Sequence, residues 1–132
     1  MIFFKPGKFF GVKDIAGVFN CVPNGNTHIG WVQDGAIISF GEVDFGKEGA
    51  GTISVKVTVD PGYAGGELEI RSSVPGKGDI VVGRLKLNST GGWNNYKEIP
   101  VKLSSRLIGK RNITFVINGN AACNFAGWKY QK

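Results

Sequence analysis

The sequence predicts an all-β chain, folded as a β-sandwich jelly roll of two antiparallel sheets. Three observations lead there. Apolar residues recur at every second position in several segments. Turn-forming clusters separate those segments at intervals of about 10–20 residues. No segment carries a 3.6-residue apolar period, so helix content should be near zero. At 132 residues the chain fits one domain, taken as residues 1–132, and can bury one sizeable core without staples.

Taken in order, the first strand-like run is Ala36–Phe45, "AIISFGEVDF", rich in branched and aromatic residues. "TISVKVTVD" then puts Ile53, Val55, Val57 and Val59 on one face and Ser54, Lys56 and Thr58 on the other, which is a half-buried antiparallel strand. "ELEIR" repeats the pattern with Leu68 and Ile70 inward, and "DIVVGRLKL" is a less regular strand. "IPVKL" alternates Ile99, Val101 and Leu103, and "NITFVIN" alternates Ile113, Phe115 and Ile117. The terminal "GWKYQ" completes the set. Between them stand "DFGKEGAG", "DPGYAGG", "VPGKGD", "NSTGG" and "NGNAA". The 21 glycines follow no collagen-like period and act as turn punctuation.

Composition narrows the function classes. Hydrophobic content of 42% and charged content of 20% describe an ordinary globular domain. The net charge of +6 raises nucleic acid as a partner. However, Lys110-Arg111 is the only adjacent basic pair, so the charge reads as a solvated surface. No apolar run is long enough to span a bilayer. The opening "MIFFKPGKFF" is broken by Lys5, Pro6, Gly7 and Lys8 and reads as neither span nor leader.

Catalytic chemistry finds few candidates. His28 is the only histidine and falls in a polar loop, where a surface position is the ordinary expectation. The carboxylates sit on polar strand faces or in turns, and no spacing singles out an acid/base pair. Cys21 and Cys123, with one histidine, cannot build a zinc site. They allow either one cross-fold disulfide or two free thiols. An enzyme is therefore not expected, a small glycoside hydrolase being the reading to test against.

The anomaly is aromatic placement. Trp31 lies between "NGNTHIG" and "VQDG", and Trp93 lies in "TGGWNN". Large rings in polar, glycine-rich surroundings point to exposure for a purpose. Asn124, in "AACNFAGW", adds an amide near the last strand. Flat rings and neutral amides suit carbohydrate: a pyranose stacks its C–H face on an indole, and its hydroxyl rim needs donors and acceptors together. The same rings could stack nucleobases of a single strand, but that role wants a basic track beside them.

Three landmarks in order then give the chain a family likeness. "GNTHIGWVQDGAIISFGEVDFG", "STGGWNNY" and "NFAGW" resemble segments of the family 6 carbohydrate-binding modules, the last with one residue more than the commonest spacing. "GELEIRSSVPG" fits the intervening strand and hairpin, and the likeness runs from about Gly11 to Lys132. It implies a non-catalytic module that holds a glycoside hydrolase of the same chain on plant or algal polysaccharide. It implies a sugar site at one end of the sandwich, built by Trp31, Trp93 and Asn124, with Asn20, Asn26 and Asn94 as further candidate contacts. Xylan or a xylo-oligosaccharide is the first-choice ligand, with β-glucan and agar-type galactan as alternatives. A secreted, monomeric, extracellular module without nucleic-acid or membrane partners follows from the same likeness. Many members also hold a structural calcium with two glutamates and an aspartate. The corresponding places here carry Phe4, Ile15 and Gly127, so that calcium site is expected to be lost or altered and no cofactor is expected.

Overall fold

The computed structural model describes residues 7–119 and 122–132. Among the described residues, eleven strands are joined by turns, and the only helical pieces are two three-residue 3-10 turns, Val12–Asp14 and Pro61–Tyr63. The strands are β1 (Phe10–Gly11), β2 (Gly17–Phe19), β3 (Val22–Asn24), β4 (His28–Gln33), β5 (Ile37–Asp44) and β6 (Ala50–Thr58). They continue with β7 (Glu67–Ser73), β8 (Ile80–Lys86), β9 (Lys97–Leu107), β10 (Lys110–Asn118) and β11 (Ala122–Gln131). One sheet runs β3-β4-β11-β6-β9, with β1 also paired to β11, and the other runs β2-β5-β10-β7-β8. Every pairing is antiparallel, which is the expected sandwich.

The period-two segments face as the pattern demands. Ile53, Val55, Val57, Val59, Leu68, Ile70 and Ile113 are fully buried, and Phe115 and Ile117 nearly so. Trp128 of the last strand is also fully buried; it stacks on Phe10 (centroids 4.5 Å, planes 12° apart) and meets Phe40 edge-on at 5.8 Å. Aromatic packing of this kind adds to plain area burial, and it separates Trp128 from the two tryptophans set in polar surroundings.

Four strands, β1 to β4, lie outside the elements expected from the sequence. β1, β2 and β3 are two or three residues long, too short to show a period, and all of β2 and β3 is exposed at the sheet edges. His28, expected in a loop, opens β4, where it pairs with Asn24 across the turn. The turn-rich residues around it conceal a hairpin.

Candidate functional site

A cleft of about 370 Å³ opens beside β4 and β11, under the loops before β7 and β9. Trp31, Trp93 and Asn124 all line it. Each is presented by a different local device.

Trp31 is displayed by a bulge. On β11, Cys123 pairs with Val32 and Phe125 with Ile29, so Gly30 and Trp31 together oppose the single residue Asn124. Ile29 and Val32 are three apart, and only this slip lets both reach the core, where each is fully buried. The same slip turns Trp31 outward. Its φ of +57° is left-handed, a conformation uncommon for a bulky residue, and its side chain is 73% exposed. Gly30 leaves the floor open: a Cβ there would stand 2.8 Å from Asn24 Nδ2 and 3.8 Å from Asn124 Oδ1.

Trp93 is held by its loop. The buried Thr90 accepts a hydrogen bond at Oγ1 from Val59 N (2.9 Å), and its own N–H donates to Val59 O (2.8 Å). Ser89 Oγ donates to Val59 O at 3.4 Å and accepts from Gly91 N at 3.0 Å. Gly91 takes a φ of +101°, where a Cβ would meet Asn95 Nδ2 at 2.8 Å. The "STGG" stretch is thus an anchor followed by a hinge-shaped turn, and Trp93 stands at its end, 37% exposed.

Asn124 sits on the outer face of β11, between the inward Cys123 and Phe125. Among the described residues its amide makes no hydrogen bond, so both its donor and acceptor ends are open. Cys123 beneath it is buried, which pushes its thiol up to about 12, and burial raises Cys21 as well. Both cysteines are free, and neither supplies a thiolate nucleophile.

The other asparagines fall elsewhere. Asn20 donates to Asp34 O (3.3 Å) and Asn26 lines a separate hollow with Phe9 and Lys56, so neither lines this cleft; nor does Asn94. The cleft's further polar groups are Asn24, His28 and Gln33, and its third aromatic is Tyr63, 5.5 Å from Trp93 between ring centroids. Tyr63 was legible in "DPGYAGG", an aromatic set in a glycine-rich turn like the one in "GGWNN". Asn24 and His28 carried no such signal, because only the short β3–β4 hairpin brings them to the cleft.

The places implied for a calcium do not fit one. Ile15 is apolar and packs on the core, and a Cβ at Gly127 would run into Phe10 O and the Phe9 ring. Phe4 lies outside the described residues. No group of three His, Cys, Asp or Glu gathers among the described residues.

Comparison with known proteins agrees with this architecture. The sequence profile of the carbohydrate binding module (family 6) matches residues 18–132. The arabinoxylan arabinofuranohydrolase of Bacillus subtilis (strain 168) is 33% identical over 109 residues, covering 82% of this chain and 20% of that protein. Endo-1,4-beta-xylanase A of Thermoclostridium stercorarium is 30% identical over 97 residues, covering 74% of this chain and 18% of that one. The chain therefore spans about a fifth of the length of these relatives. A beta-1,3-glucan binding module of this family from Bacillus halodurans superimposes with a TM-score of 0.78 at 21% identity, covering 96% of this chain and 97% of that one, and supports the fold. On profile and fold together, the chain belongs to the family 6 carbohydrate-binding modules.

Proposed function

We propose that the chain binds a xylan-type polysaccharide, with one sugar ring held between Trp31 and Trp93 and its hydroxyls bonded by Asn124. The observation that carries this reading is the character of the cleft. Two exposed indoles and an unengaged amide line it, and no described lining residue is a carboxylate, lysine or arginine. Without a carboxylate pair the cleft has no means to hydrolyse a glycoside, which supports a non-catalytic module. Without cations it lacks the phosphate-binding track of a nucleic-acid site. Neutral amides and C–H-stacking rings are the complement of a neutral sugar.

Xylan is favoured because an arabinoxylan arabinofuranohydrolase and an endo-1,4-beta-xylanase are among the relatives at 30% identity or more. The module's task would be to hold an attached glycoside hydrolase on polysaccharide outside the cell, raising the effective substrate concentration through the tether. One stacked ring with few hydrogen bonds implies modest affinity, on the order of 10 μM to 1 mM.

Native affinity electrophoresis through gels loaded with xylan, mixed-linkage glucan, laminarin or agarose tests the reading. Retardation should be greatest in xylan and insensitive to salt. Trp93→Ala and Asn124→Ala should each abolish or sharply weaken it. Undiminished retardation of Trp93→Ala would place the site elsewhere, and release of reducing sugar would make the chain an enzyme.

A further inference from the structure

The pair of tryptophans and the asparagine leave one ring of the cleft without a role. Tyr63 is 52% exposed on the turn Pro61–Tyr63 and meets Trp93 in a tilted contact, at 5.5 Å between centroids and 47° between planes. We propose that Tyr63 is a second stacking surface, for the sugar next to the one held between Trp31 and Trp93. Its tilt then selects a chain that twists from sugar to sugar over a flat one. The inference rests on the carbohydrate-binding reading above.

Tyr63 and Trp93 stand on different loops, yet those loops are tied together. Val59, at the root of the first, exchanges backbone and hydroxyl bonds with Thr90 of the second. Beyond Tyr63, Gly65 N donates to Leu87 O (2.9 Å) and Leu87 N donates to Gly66 O (2.8 Å). The turn itself is closed by Tyr63 N donating to Asp60 O (2.9 Å) and by the Asp60 carboxylate accepting from Gly62 N (3.1 Å). Both rings therefore move as one wall, and little ordering cost is left to ligand binding.

Planes 47° apart cannot both lie flat on one pyranose. They can each meet one of two successive rings whose faces turn relative to each other. In a flat β-1,4-glucan ribbon, successive sugar faces are parallel, so a sugar stacked on Trp93 leaves its neighbour tilted by 47° against Tyr63 and unable to lie flat on it. A xylan backbone lacks the hydroxymethyl group that helps hold glucan flat, and it winds as it advances. Its second sugar can offer its C–H face to the tilted phenol.

Isothermal titration calorimetry of the wild type, Tyr63→Ala, Tyr63→Phe and Trp93→Ala with xylose, xylotriose and cellotriose tests this. The wild type should prefer xylotriose to cellotriose. Tyr63→Ala should lose about three- to tenfold in xylotriose affinity. Its loss for xylose should be smaller, and its preference for xylotriose over cellotriose should shrink. Tyr63→Phe keeps the ring and should retain that preference. Equal losses of Tyr63→Ala for xylose and xylotriose would make Tyr63 a mere prop for Trp93 and overturn the inference alone, as would no loss at all. Undiminished binding by Trp93→Ala, or no sugar binding by the wild type, would overturn the underlying reading and this inference with it.

Discussion

Trp31 shows how a single residue trades stability for display. Its left-handed backbone costs roughly 1–3 kcal/mol for a side chain of this kind. Its exposed indole recovers little of that by burial. The strain is retained because the bulge that causes it also points the ring into the cleft. Glycine tolerates this conformation and alanine does not, so Trp31→Gly should be more stable than Trp31→Ala by about 1 kcal/mol in urea denaturation. Both should fail to bind xylan. Equal stabilities would mean that the backbone at position 31 relaxes once the indole is gone.

At the scale of elements, the outer face of the β7–β8 pair carries a charge network that has no part in the cleft. Glu69, nearly buried, accepts from Arg71 at 2.6 Å and from Arg84 at 2.6 Å, and Arg84 also reaches Glu67 at 2.7 Å. The Arg71 hydrogen bond, foremost, holds the Glu69 carboxyl below its ordinary value, outweighing the opposing effect of burial. A carboxylate whose folded value is depressed contributes stability above its unfolded value, about 4.3, and loses it as pH falls through the folded value. Glu69→Gln should therefore cost about 1–3 kcal/mol at neutral pH. The gap between the two melting temperatures should narrow as the pH drops below about 4. A gap that stays constant into acid would show that the network contributes by packing and not by charge.

For the whole molecule, the sandwich closes around an apolar core in which Phe10, Phe45, Trp128 and Tyr130 pack together, with Cys21 and Cys123 as free thiols. The Phe9 ring and the Phe10 carbonyl fill the space beside Gly127 where an acidic side chain would have to stand. A melt in excess EDTA should match one in millimolar calcium to within a degree or so, because a ligand stabilises only what it binds. A rise of several degrees with calcium would reveal a site built from other groups.

Much of this was legible in the chain. Alternating valines and isoleucines determine which face of each long strand is buried, because a strand's side chains alternate sides whatever else surrounds it. Tryptophans set among polar, glycine-rich residues announce exposed rings, because an indole set in turn residues has no core to enter. The order of three motifs marked Trp31, Trp93 and Asn124 as candidates. Tertiary structure alone decided that the amides joining Asn124 in the cleft are Asn24 and Gln33 and not Asn20, Asn26 or Asn94, since that depends on which short edge strand pairs where. It alone decided the bulge opposite Asn124, because a one-residue slip is set by two distant strands competing to bury Ile29 and Val32 together. And it alone set the 47° between Tyr63 and Trp93, an angle fixed by hydrogen bonds between loops some 30 residues apart.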